Sequence, residues 1–162
     1  MFGFKSKTAT EPETGLFKNA LLVVDGSEPS VAAANLAVRM AAQQACDLTA
    51  VYVVDTATLD YLLQMRILVN QEREGFEKDL ERTGKRYLDF VQTIGRNAGL
   101  EVEVVLRRGS FHQEILKEAR ERHVDAIILG GWKRSIARKD KASIERQHVL
   151  DQADCPVIVV KA

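Results

Sequence analysis

Five short apolar runs punctuate the chain, and the stretches between them carry helical spacing. Ala20-Leu21-Leu22-Val23-Val24 and Ala126-Ile127-Ile128-Leu129 are unbroken, the first ended by Asp25-Gly26-Ser27 and the second by Gly130-Gly131. Runs too short for a helix and apolar at every position mark strands covered on both faces, as in a parallel sheet. Leu48 to Val54 (LTAVYVV) and Val157-Ile158-Val159-Val160, after Cys155-Pro156, read as buried strands in the same way. Glu101 to Leu106 (EVEVVL) alternates at first, which predicts a further strand less buried than the others.

Between the runs the period lengthens. Ser27 can cap a helix, and Pro29 falls in its first turn, where a missing N–H is not needed. Val31, Ala34, Val38, Ala41 and Ala45 then form a stripe, largely of alanine, that lets a helix lie close on a sheet. Residues 56–69, TATLDYLLQMRILV, are too apolar for a plain loop and predict a short helix or a lid whose exposed part is a contact surface for a protein partner. A long helix follows, with Phe76, Leu80, Tyr87, Val91 and Ile94 on one face and Gly99 as its C-terminal cap. Ser110 and Gln113 have the spacing of a capping box ahead of a helix whose Ile115, Leu116 and Ala119 face inward. A basic loop and a short helical segment join the last two strands.

Strands alternating with helices imply right-handed crossovers and an α/β fold, a five-stranded parallel sheet with helices on both faces. The expected strand order is 3-2-1-4-5. The winding then reverses between the first and fourth strands, which places Asp25-Gly26-Ser27 beside Gly130-Gly131 in one crevice, where ligands of such folds bind.

Composition narrows the partners. The 162 residues suit one domain, expected at 17–162 behind a polar, flexible tail at 1–16, whose Phe2 and Phe4 are either a loose end or a docking point. Lys and Arg number 23, as do Asp and Glu, so no overall field favours nucleic acid or an anionic membrane. No apolar run approaches the roughly 20 residues of a membrane span, and MFGFKSKTATEPETG lacks the apolar stretch of a signal peptide, so a cytoplasmic protein is expected. Cys46 and Cys155 have no CxxC or Cys/His neighbour and read as structural thiols.

The strings VVDGSEPS, YVVD, IILGG and CPVIVV, in that order and spacing, resemble the universal stress protein family from Phe17 to Ala162. The resemblance implies the fold just argued, the adenine-nucleotide alpha-hydrolase-like or universal stress protein fold, and a homodimer, often formed through the last strand. One branch of the family binds ATP through G-x-x-G, nine residues, then G-[ST]. Laid on this sequence from Gly130, the second glycine falls on Lys133, the third on Ser143 and the hydroxyl residue on Ile144, so only Gly130 matches. Glycines let a backbone turn its N–H groups onto phosphate oxygens, and without them that nest of donors is incomplete.

The same loop offers a substitute. Lys133, Arg134, Arg138, Lys139 and Lys141 lie within nine residues, opposed only by Asp140, and their side chains could hold a phosphate where backbone amides do not. The other reading is a solvated basic loop. By the resemblance, Asp25 faces the adenosine part of a ligand and Val53 lines a base pocket. On the residues alone, Asp25 could simply close the turn through Gly26 and Ser27. Trp132 could stack on a base, cover the crevice or pack against the long helix. The candidate nucleotide-binding residues are thus Asp25, Gly26, Ser27, Val53, Gly130, Gly131, Lys133, Arg134 and Ser143, with ATP or AMP as ligand and no required cofactor.

No catalytic or metal constellation stands out. His112, His123 and His148 form no metal spacing and read as surface or interface residues, and neither a dinucleotide fingerprint nor a P-loop is present. The chain therefore reads as a regulatory domain in stress response, binding a nucleotide or another anionic phosphate ligand at the crevice. The alternative is a ligand-free homodimeric interaction module, with weak nucleotide hydrolysis as a third reading. One basic cluster without interleaved aromatics is a poor case for nucleic acid.

Overall fold

Apolar runs bounded by turn residues become strands throughout, and the periodic stretches between them become helices. The computed structural model describes residues 15–132 and 140–162. Phe2, Phe4 and all but the last two residues of the expected tail, as well as Lys133, Arg134, Arg138 and Lys139 of the basic loop, lie outside the described residues. The strands are β1 (Asn19–Val24), β2 (Asp47–Val54), β3 (Glu103–Arg108), β4 (Ala126–Gly130) and β5 (Val157–Val160). The helices are α1 (Glu28–Gln44), α2 (Thr56–Gln64), α3 (Asn70–Asn97), α4 (Phe111–Glu121) and α5 (Lys141–Gln152). All pairings are parallel and the order is β3-β2-β1-β4-β5, as expected.

Alternation along the strands sorts the core into two layers. Leu22, Val24, Ala50, Tyr52 and Ile128 point to α1 and α3, while Leu21, Val23, Val51, Val53, Ile127 and Leu129 point to α4 and α5. The face of α1 on the sheet is Ala33, Ala34, Ala37, Val38 and Ala41. Of the expected stripe, Val31 is only half-buried, and Ala45 is exposed because it ends the helix in the left-handed region, at φ 50°.

Three other expectations are corrected. β3 starts two residues later than its alternation suggested, because Val102 turns to α3 and fills the space that Gly95 leaves by having no side chain. On α3 the buried residues are Gly84, Leu88, Val91 and Gly95, whereas Phe76 is half exposed. A helix of 28 residues is about 42 Å long, about twice the span of these strands, so its first turns overhang the sheet. β5 is half-buried rather than buried, since it forms one edge of the sheet and has β4 alone as neighbour.

Residues 56–69 form a helix and a turn. Asp55 caps α2 by accepting from the Thr58 amide at 3.0 Å, and Leu59 is its buried residue. Beyond it, Tyr61, Met65, Ile67 and Val69 are each more than half exposed. Gly99, at φ +78°, follows the last turn of α3 and ends it as expected. Among the described residues no helix is long and apolar enough to cross a membrane.

Candidate functional site

The strand order reverses between β1 and β4, and the turns at the carboxyl ends of these strands meet there. Gly26 takes φ +81°, and a Cβ on it would lie 2.5 Å from a ring carbon of Tyr87. The turn closes on Asp25, whose Oδ1 accepts from the Ser27 amide at 2.9 Å and the Ser27 hydroxyl at 2.6 Å. Ser27 caps α1, accepting from the Ser30 amide at 3.3 Å. Gly130 brings the end of β4 against the first turn of α1, so close that a Cβ would sit 2.5 Å from the Pro29 carbonyl carbon and the Ser30 nitrogen.

A crevice of about 320 Å3 opens beside this turn. Asp25, Tyr52, Val53, Asp55 and Thr58 line one side of it, and Phe111, Lys141, Glu145 and Arg146 the other. Arg146 reaches across: its guanidinium pairs with Asp25 Oδ2 and lies 4.7 Å above the Phe111 ring. Burial pushes the Asp25 carboxyl up, but the Ser27 hydroxyl, the Arg146 charge and the Ser27 amide outweigh it and hold the group below the usual carboxylate range. Asp25 is thus an ionised carboxylate with both oxygens engaged. At the mouth, the Lys141 ammonium donates to the Thr58 hydroxyl, which donates to Asp55 at 2.7 Å.

A second clamp fixes α5 to α4. Glu145 Oε2 accepts from the His112 amide at 2.9 Å, from His112 Nδ1 at 2.6 Å and from the Ser110 hydroxyl at 3.4 Å. This corrects the expected capping box: Ser110 stands at the N-cap position but makes no capping bond, because the Glu145 carboxylate, 35 residues away, satisfies the first turn of α4 instead. Burial raises the Glu145 pKa and the His112 contacts more than offset it, leaving the carboxyl below its ordinary value. The three groups are not a catalytic relay. A relay needs acid and nucleophile on opposite ring nitrogens, whereas Ser110 and Glu145 both meet Nδ1. His148 lies against His112, with ring centroids 4.7 Å apart, so these two pack between α4 and α5, and His123 is exposed.

Of the sequence candidates, Asp25 and Val53 line the crevice, and Gly26, Ser27 and Gly130 build the turn and its packing. Gly131 and Ser143 are not among the residues that line it. The Gly131 amide donates to the Val160 carbonyl at 2.7 Å, and Ser143 engages the α5 cap Asp140 through its amide and hydroxyl. Lys133 and Arg134 lie outside the described residues. Trp132 packs on the α4 and α5 layer, away from the long helix, and borders a groove with Pro29, Leu150 and Val159. Both thiols are pushed up by burial, as suits structural cysteines, and among the described residues no three acidic, His or Cys side chains converge as a metal site. Sequence reasoning missed Arg146 and Glu145. Their partners lie 121 and 33 residues away, and the one available signal was that the first turns of α5 had to face the crevice.

Comparison with known proteins places the chain. The model of the universal stress protein family matches residues 16–161. Universal stress protein MJ0531 of Methanocaldococcus jannaschii is 25% identical over 146 residues, covering 90% of this chain and 83% of that protein. Universal stress protein YxiE of Bacillus subtilis is 24% identical over 148 residues, 90% of this chain and 100% of that one. Among solved structures, UspA of Lactobacillus plantarum superposes with a TM-score of 0.62 at 26% identity, covering 88% and 97% of the two chains. Two more distant structures share the fold at a TM-score of 0.59: a universal stress protein in complex with cAMP (15% identity, 90% and 97% covered) and one from Archaeoglobus fulgidus in complex with dAMP (19%, 89% and 98%).

Proposed function

Since this chain belongs to the universal stress protein family, we propose that it is a non-catalytic regulatory protein of the stress response that binds an adenine mononucleotide in the switch-point crevice. The observation that carries this reading is the meeting of three chemistries around one cavity: an apolar wall at Tyr52, Val53, Leu80 and Phe111, the Asp25 carboxylate, and the cations Lys141 and Arg146. A base, a sugar and a phosphate need those in turn. A volume of about 320 Å3 is at the small end of ligand pockets, which favours a mononucleotide over a dinucleotide. The bound cAMP and dAMP of the two distant fold relatives support the same class. The Ser110, His112 and Glu145 cluster is a clamp and so supplies no free base for hydrolysis.

Calorimetric titration with AMP, ATP and pyrophosphate tests the reading. The expected result is one saturable site per chain whose affinity falls with salt, as charge-assisted binding does. Absence of saturable heat at millimolar ligand and low salt would refute it. Phosphate release from ATP above the buffer rate would refute the non-catalytic part.

The chain is further proposed to act in the cytoplasm as a homodimer through β5. That edge must be paired or covered, Val159 is 37% exposed on it, and a groove of about 750 Å3 bordered by Trp132 and Leu150 runs alongside. A monomer in sedimentation at micromolar concentration would count against the dimer. A second reading, in which the α2 tip recruits a protein, is favoured by the exposure of Tyr61, Met65, Ile67 and Val69.

A further inference from the structure

The crevice contains a ligand of its own making. Asp25 Oδ1 takes both donors of Ser27, and Oδ2 takes the Arg146 guanidinium. A sugar hydroxyl offered to this carboxylate must compete with a charge-assisted bond, roughly twice as strong as a neutral one. If it won, it would leave Arg146, only 14% exposed, without its anion. Breaking a partly buried pair in that way is unfavourable because the guanidinium recovers neither a charged partner nor full hydration. A phosphate changes the balance, since the planar fork that holds a carboxylate holds a phosphate equally well.

From this geometry we infer that Arg146 is a specificity-determining residue that makes occupancy of the crevice conditional on a phosphate: the anion draws the guanidinium off Asp25, and the freed carboxylate accepts the sugar hydroxyls. The inference rests on the nucleotide reading above and adds the ligand class, phosphorylated nucleosides with free nucleosides excluded. The surroundings of Arg146 suit such an exchange. Its Nη1 donates to the Ala142 carbonyl at 3.0 Å and its guanidinium carbon lies over the Phe111 ring, so the head group has room to turn above the ring without leaving the site. The other acids near it are committed, Glu145 to His112 and Ser110, and the cap Asp140, which also feels the Arg146 charge, to the Ser143 amide and hydroxyl.

Paired titrations of AMP and adenosine into wild type, Arg146→Gln and Arg146→Lys test the idea. Wild type should bind AMP at least about tenfold more tightly than adenosine, consistent with one charge-assisted contact. In Arg146→Gln adenosine should gain and AMP lose, bringing the two within about threefold, while Arg146→Lys keeps a charge and restores part of the preference. A purely structural role would move both ligands together. Wild type that binds AMP and adenosine alike, or Arg146→Gln that binds AMP with the ratio unchanged, overturns this inference and leaves the nucleotide reading standing. Failure of both ligands to bind any of the three proteins overturns both. A measurement on wild type alone covers a variant that does not fold: the Arg146 Nε resonance should shift with AMP and with pyrophosphate and stay still with adenosine. No shift at saturating AMP overturns the inference.

Discussion

Gly130 is the one position where the nucleotide motif of the family and the packing of the fold lay claim to the same glycine, and Gly130→Ala separates them. The added Cβ would stand 2.5 Å from the Pro29 carbonyl carbon and the Ser30 nitrogen and 2.8 Å from the Pro29 oxygen. Comfortable carbon contacts are about 3.5–4.0 Å, so the first turn of α1 or the end of β4 must give way by about 1 Å. Neither yields easily, because α1 is seated on the sheet by close-packed alanines and β4 is buried along its length. Overpacking a close-packed interior costs about 1–3 kcal/mol, and rigid backbone as the obstacle argues for the upper end. For a domain of this size about 3 kcal/mol lowers Tm by about 6–12 °C. Gly131→Ala is the internal control, since its nearest neighbour is the Val160 carbonyl oxygen at 3.4 Å, an ordinary contact. Thermal and urea unfolding of both variants decide the matter. If Gly130→Ala is within about 0.5 kcal/mol of Gly131→Ala, the range of an ordinary surface change, packing is not why this glycine is there.

Ser27→Ala removes the cap of α1 and both side-chain partnerships of that hydroxyl, so a loss near the upper end of the usual 0.5–2 kcal/mol for a cap (about 2 kcal/mol) is expected in urea unfolding. Asp25 and Glu145 both have carboxyl pKa values depressed by folding, so the unfolded chain binds protons first as pH drops. Their contribution is complete above the ordinary carboxylate range and is lost as pH falls through the lower folded values. The urea midpoint should therefore hold between neutrality and about pH 5 and decline below it, less steeply in Glu145→Gln, and an identical slope in that variant would remove Glu145 from the account. Replacing Tyr61, Met65 and Ile67 together by Ser should move Tm by no more than about 3 °C, because these side chains are already exposed, and a fall of about 10 °C would mean that the tip is packed.

The sheet was legible because strands buried on both faces cannot alternate, and four of the five runs do not. The expected order 3-2-1-4-5 is the one observed, and it puts Asp25 at the reversal of winding. Edges and overhangs were less legible for a shared reason. Hydrophobic period tells which side of an element is apolar but not whether anything lies beneath it, so Phe76 looked like core although α3 outruns the sheet there. In the same way β3, an edge strand, lost two residues to a contact between Val102 and Gly95 that no local pattern announces. The Ser110 to Gln113 spacing was a genuine local signal overruled by a carboxylate from another helix. Local rules rank the options of a chain end, and a stronger charged partner arriving through the fold settles them.

The polar contacts of the crevice form one connected device. Glu145 and Arg146 are adjacent on α5, yet one fastens that helix to the start of α4 and the other to the turn after β1. Moving either side chain therefore strains the seat of the other. Lys141, one turn earlier, ties the same helix to Thr58 and so to α2, whose far end carries the exposed Tyr61 and Met65. An anion that draws Arg146 away from Asp25 acts on a helix held at three points along its first half, and among the described residues two of those holds lead to α4 and α2. The Lys141 to Thr58 contact gives occupancy of the crevice one physical link to α2 and its apolar tip.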